Sequence, residues 1–177
     1  MCKTRIGVNQ KRPPWKMYFM MLANIARTRS LDLNSKHGCV IVNKNNKIVS
    51  MGYNSFPSGF PDEKLPLTRP EKYAYMVHAE INAILATNDD LSNCTLYVTG
   101  YPCVNCLQAI VQKDIKHIVC FDYKSKMLNG TYPAVLRDMS KYGGIKIETV
   151  PMNEFRQFLD EFNSFWCGKD FVLNNDE

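Results

Sequence analysis

The sequence predicts one α/β domain, a three-layer α/β/α sandwich whose mixed sheet of about five strands carries helices on both faces. Three observations lead there. Apolar residues recur at helical spacing near both ends of the chain. From His78 onward, short helical and extended patterns alternate. The extended stretches in that half are compact apolar runs, as parallel strands covered on both sides are. A chain of 177 residues suits a single domain with a substantial core.

The opening "MCKTRIGVNQKRPP", residues 1–14, is basic, and no apolar run follows it. It reads as a flexible N-terminal arm and not as a secretory signal, leaving 15–177 as the domain. Trp15, Tyr18, Phe19, Leu22, Ile25 and Ala26 then mark an amphipathic first helix ending near Arg29. "CVIVNKNNKIVSMGY" gives two strands around a polar turn at residues 43–47. The proline- and glycine-rich "NSFPSGFPDEKLPLTRPEK" is a long irregular loop, a kind that is often functional.

Beyond the loop, "HAEINAILAT" is helical, "CTLYVTG" extended, "VNCLQAIVQKD" helical and "KHIVCFDY" extended. "YPAVLRDMSKYG" is a helix ending at Gly143, and "IKIETV" is a strand. "NEFRQFLDEFNSFW" closes the domain as an amphipathic helix whose aromatic stripe packs core.

Composition narrows the function classes. The chain is 45% hydrophobic and 22% charged, the balance of a soluble globular protein. No apolar run approaches the roughly 18 residues of a membrane span, so no membrane partner is expected. The net charge of +5 is a weak pull toward anionic partners. Seven cysteines without an export signal point to a reducing, cytoplasmic setting, where metal ligands and free thiols come before disulfides.

Two stretches carry chemistry. In "MVHAEINAIL", His78 and Glu80 stand at i and i+2, positions that diverge on a regular helix. They can share a site only where the helix begins. In "GYPCVNCLQ", Cys103 and Cys106 stand at i and i+3 on one face, with Pro102 suited to a helix start. Strand-to-helix turns of an α/β sheet line its ligand crevice. One imidazole and two thiolates are three zinc ligands, which leaves a fourth position open as catalytic zinc requires. Glu80 is then free to move protons beside the metal.

Alternatives stand beside this reading. C-x-x-C alone also suits a redox pair, and a closed structural zinc would need a fourth ligand from His37, His117 or the remaining cysteines. Cys2, Cys39, Cys94, Cys120 and Cys167 read as small buried or incidental thiols, with Cys39, Cys94 and Cys120 in strands. His37 and Cys39 would share a strand face.

H-x-E followed by P-C-x-x-C is a known signature of zinc deaminases of nucleobases. Through "RSLDLNSKHGCVIV", "KIVSMGYNSFPSGFPDEKLP", "HAEINAI" and "LYVTGYPCVNC", the chain resembles the deoxycytidylate (dCMP) deaminases of the cytidine deaminase superfamily. The resemblance runs over about residues 15–123 and more loosely to 150. It implies that His78, Cys103 and Cys106 bind one zinc, that zinc-held hydroxide attacks C4 of the cytosine, and that Glu80 shuttles protons. It also implies sugar contact by Asn54, a pyrimidine edge framed by Ala79 and the turn from Thr99 to Tyr101, phosphate contact near Arg29 and Ser30, and a pocket aromatic at Tyr123. The product would be dUMP, feeding thymidylate synthesis.

Many members of the family are hexamers activated by dCTP and inhibited by dTTP, with Mg2+ on the triphosphate. The corresponding loop here holds Asn54, Ser55, Gly59, Phe60, Asp62 and Glu63. Leu31 replaces the lysine common in the family's R-S-K-D segment. Residues 54–77 contain neither cysteine nor histidine, so a second, structural zinc is not expected. Two other readings are a deaminase of single-stranded nucleic acid or tRNA, and a non-catalytic zinc module. The proline-glycine loop argues for a free nucleotide over nucleic acid, and Glu80 argues against the module.

Overall fold

The computed structural model describes residues 12–122 and 132–165. Helix α1 (Trp15–Ala26) runs into a 3-10 turn at Arg27–Arg29. Strands β1 (Gly38–Val42) and β2 (Ile48–Tyr53) form an antiparallel hairpin. The side chain of Asn43 closes its turn, accepting from the N–H groups of Asn45 and Lys47, while Asn46 takes a left-handed φ of 58°. The long loop carries two 3-10 turns, Asp62–Lys64 and Glu71–Ala74, and its ends pair through an antiparallel bridge between Ser55 and Val77.

Then follow α2 (Ala79–Leu85), β3 (Thr95–Val98), α3 (Val104–Gln112), β4 (His117–Phe121), α4 (Tyr132–Gly143), β5 (Lys146–Val150) and α5 (Met152–Phe165). The sheet order is β2-β1-β3-β4-β5, with β1 antiparallel to both of its neighbours and β3, β4 and β5 parallel. The expected mixed five-stranded sheet and its order of elements are borne out.

Side chains alternate across the sheet with period 2. Cys39, Ile41, Leu96, Val98, Ile118 and Cys120 face a core completed by Ala83 and Ile84 of α2, Leu107 and Ile110 of α3, and Tyr132 of α4. Val40, Val42, Tyr97, Val119 and Phe121 face the opposite core, filled by Phe19, Met20 and Ala23 of α1 and Phe155 of α5. Helices therefore cover both faces. The aromatic stripe of α5 packs as expected, with Phe155 and Phe121 ring centroids 4.6 Å apart.

Three expectations need correction. The strand β5 is only partly buried, because it forms the sheet edge and lacks a neighbour on one side. Cys94 precedes β3 instead of lying in it; its N–H closes a turn onto Leu91 O. His37 lies one residue ahead of β1, so it shares no strand face with Cys39. Cys2, Cys167, Tyr123 and most of the 1–14 arm fall outside the described residues.

One close approach fixes where the site lies. A Cβ on Gly52 of β2 would meet Ala83 N at 2.4 Å and Ala79 O at 2.5 Å. Only glycine lets the strand backbone touch the backbone of α2. That contact holds the helix whose first turn carries His78 and Glu80.

Candidate active site

His78 is the N-cap of α2 and Cys103 the N-cap of α3. Both have extended dihedrals, with φ −71° and ψ 154° for His78 and φ −71° and ψ 170° for Cys103. That geometry answers the i, i+2 puzzle, since a capping residue has non-helical dihedrals and its side chain does not follow the helical spacing. Pro102 stands one residue ahead of the cap, at the start of the helix expected from Val104 onward. Its carbonyl accepts from the Tyr132 hydroxyl at 2.9 Å.

The two helix starts bring three ligand atoms together. His78 Nδ1 lies 3.5 Å from Cys103 Sγ and 3.4 Å from Cys106 Sγ, and the two sulfurs are 3.6 Å apart. Among the described residues this is the one group of three such side chains with ligand atoms mutually within 4.8 Å. Tetrahedral zinc, with bonds of about 2.0–2.1 Å to nitrogen and 2.3 Å to sulfur, needs edges of about 3.5–3.8 Å. The donor set fits zinc in both chemistry and spacing. No fourth His, Cys, Asp or Glu among the described residues joins the cluster, in keeping with an open coordination position.

The electrostatics agree. The hydrogen bond from Cys106 pulls the Cys103 thiol down to about 4 against its burial, with His78 adding to the pull. The same contact pushes Cys106 up. His78 is raised, chiefly by its hydrogen bond to Cys103. Glu80 is 5% exposed, and burial raises its carboxyl above the ordinary value. A carboxyl whose pKa is moved upward takes up a proton more readily than an ordinary one.

A cavity of about 170 Å³ opens over this cluster. Asn54 and Tyr101 line it, as expected, along with Glu80, His78 and Cys103. Asn54 is buried and held by three hydrogen bonds that leave one Oδ1 lone pair for a ligand: its Oδ1 accepts from His37 N–H at 2.7 Å, and its Nδ2 donates to Ser35 O at 3.0 Å and Asp32 Oδ2 at 3.3 Å. Ala79 and Thr99 are completely buried and support the wall from behind, with Thr99 Oγ1 accepting from Gly38 N–H at 3.1 Å.

Arg29 and Ser30 do not line this cavity. The 3-10 turn after α1 carries Arg29 to a second cavity, of about 400 Å³, and Ser30 is buried with its Oγ accepting from Asp32 N–H. Ser55, Gly59, Phe60 and Asp62 line that second cavity as well. Glu63 is exposed beside it without lining it.

Sequence reasoning missed Asp32, Ser35, His37, Arg69, Lys72 and Tyr73, all on the wall of the first cavity. Lys72 is buried, and its ammonium donates to Asp32 and, at 3.3 Å, to Asn34 Oδ1. Asp32 Oδ1 also accepts from the N–H groups of Asn34 and Ser35, an Asx turn that the "LDLNS" stretch could have signalled. Nothing local announces Lys72. The His37 ring lies against Gly100, where a Cβ would meet it at 2.7 Å.

The family model for the cytidine and deoxycytidylate deaminase zinc-binding region matches residues 13–122. The deoxycytidylate deaminases of Pongo abelii and Homo sapiens are each 43% identical over 112 residues, covering 59% of this chain and 63% of theirs. The chain thus spans less than two thirds of the length of these relatives. A deaminase of uncharacterised activity from Aliivibrio fischeri is 34% identical over 141 residues, 78% of this chain and 95% of that one.

Among solved structures, the dCMP deaminase of cyanophage S-TIM5 shares the fold. In its complex with dCMP and dUMP it superposes with a TM-score of 0.60 at 24% identity, covering 80% of this chain and all of that one. The matched span holds both helix starts, the three ligand side chains and the glutamate between them, and it places this chain in the cytidine and deoxycytidylate deaminase zinc-binding family.

Proposed function

We propose that the protein hydrolyses dCMP to dUMP and ammonia in the cytoplasm, supplying dUMP for thymidylate synthesis. One observation carries this reading: a buried glutamate lines a cavity together with His78 and Cys103, two of three side chains spaced for zinc. A closed structural site has no use for such a carboxyl. The choice of dCMP is supported by the deoxycytidylate deaminases among the relatives and by the phage enzyme's complex with dCMP and dUMP.

Bound zinc, held by His78, Cys103 and Cys106, supplies the Lewis acidity that makes water a nucleophile at neutral pH. Glu80 takes a proton from the attacking water, gives it to ring N3, and then moves a proton to the C4 amino group, which leaves as ammonia. The N–H of Ala79 and the turn from Thr99 to Tyr101 frame the pyrimidine edge. Asn54, held by Asp32, Ser35 and His37, presents its carboxamide to the sugar.

Regulation belongs to the second cavity in this reading. The loop bearing Ser55, Gly59, Phe60, Asp62 and Glu63 binds dCTP as activator or dTTP as inhibitor, with Mg2+ on the triphosphate near Asp62 or Glu63, whereas Asn54 lines the first cavity instead. Arg29 on the same cavity supplies the positive charge such ligands need, and Gly59 has a left-handed φ of 84°. The working assembly is a homo-hexamer.

Ammonia release from dCMP by zinc-loaded protein, with and without dCTP and dTTP, tests this. Turnover raised by dCTP and lowered by dTTP supports both substrate and regulation. Turnover indifferent to both keeps the enzyme and removes the regulatory loop. Zinc-loaded protein with no turnover on dCMP removes the reading.

A further inference from the structure

We propose that Arg69 is the specificity-determining residue of the catalytic cavity, binding the 5′-phosphate of the substrate so that monophosphates are favoured over nucleosides. The inference rests on the dCMP reading above and names the group that recognises the phosphate. It moves that role from Arg29, which stands on the other cavity, to the long loop before α2.

The cavity is graded from a buried floor to an exposed mouth. Glu80 on its lining is buried, whereas Arg69 and Tyr73 on the same lining are exposed. If the cytosine amino group is to meet the metal and Glu80, the base must enter first. The 5′ end of the nucleotide then lies at the mouth.

The charges there favour an anion. Two cations and two carboxyls line the cavity: Arg69, Lys72, Asp32 and Glu80. Lys72 is committed to Asp32 in a pair whose side chains are 2% and 4% exposed. Glu80 is buried two residues from the candidate metal ligand His78. Arg69 has no carboxylate within ion-pair distance among the described residues.

Two contacts orient its guanidinium without neutralising it. Nη2 donates to Ser35 Oγ at 2.8 Å, and Cζ lies 5.9 Å from the Tyr73 ring centroid. The remaining N–H groups form the planar fork that matches two phosphate oxygens.

The test uses full-length, zinc-loaded wild type, Arg69→Ala and Arg69→Lys, with dCMP and deoxycytidine as substrates and as ligands in equilibrium titration. Loss of a charge-assisted contact predicts about a 10- to 100-fold fall in kcat/KM for dCMP in Arg69→Ala, mainly through KM. Deoxycytidine turnover stays within about threefold, and Arg69→Lys recovers part of the loss because it keeps charge but not the fork.

Unchanged dCMP kinetics in Arg69→Ala, or an equal fall for both substrates, overturns the proposal while leaving the deaminase standing. Wild type inactive on both substrates overturns the deaminase reading instead. The titrations then decide Arg69 alone: dCMP affinity that falls in Arg69→Ala while deoxycytidine affinity holds sustains the proposal, and equal effects refute it.

Discussion

Lys72 donates to Asp32 across 40 residues of sequence, and the pair is buried against the wall of the catalytic cavity. It ties the 3-10 turn before α2 to the segment after α1, and Asp32 in turn holds the carboxamide of Asn54. Removing one partner of a buried pair strands the other. Asp32→Asn, with zinc bound, is expected to lose about 3–5 kcal/mol in urea unfolding. Lys72→Met should cost less, because Asp32 keeps the N–H groups of Asn34 and Ser35 and the amide of Asn54.

The same carboxyl sets an acid limit. Burial pushes Asp32 up, but the hydrogen bond from Lys72 and the Ser35 and Asn34 N–H groups outweigh it, leaving the folded value below the ordinary 3.8. A carboxyl depressed in the folded state contributes stability that is present above the unfolded value and lost as pH falls through the folded one. The stability gap between wild type and Asp32→Asn should therefore be full at pH 5 and shrink below about pH 4. Unfolding midpoints of both proteins across that range check it; a gap constant to pH 2.5 would contradict the pairing.

Gly52 predicts a coupled loss. An added methyl group would collide with backbone atoms of Ala83 and Ala79, which cannot rotate away. Gly52→Ala should cost about 3 kcal/mol, toward the upper end for overpacking, because α2 must move off the sheet. Since α2 begins at His78 and carries Glu80, zinc affinity and turnover should fall with stability. A variant that is destabilised but fully active would separate the helix from the site.

The metal ligands act as a set. Cys103→Ser and Cys106→Ser should each fall from about one zinc per chain to near zero after dialysis against a weak chelator. Metal analysis of the purified variants reads this directly. Retention of stoichiometric zinc by either one would require another ligand in place of the lost thiolate.

These residues differ in how far the sequence announced them. His78, Glu80, Cys103 and Cys106 were legible because each pair is local and sits at a helix start, where dihedrals follow from position. The strands and helices were legible through period, and the two cores confirm the alternation at residues 39–42. Asp32, Arg69 and Lys72 were not, since they meet only because the long loop folds back over the residues after α1, and no periodicity governs such a loop. Arg29 misled for a related reason: the 3-10 turn that ends α1 decides which cavity it serves.

Glu80 carries the central claim, and Glu80→Ala tests it most directly. Zinc content and ammonia release from dCMP should be measured together on wild type and variant. The account predicts about one zinc per chain in both, steady ammonia release by wild type, and a loss of at least about a thousandfold in the variant. A Glu80→Ala protein that keeps its zinc and still deaminates dCMP near the wild-type rate would contradict it.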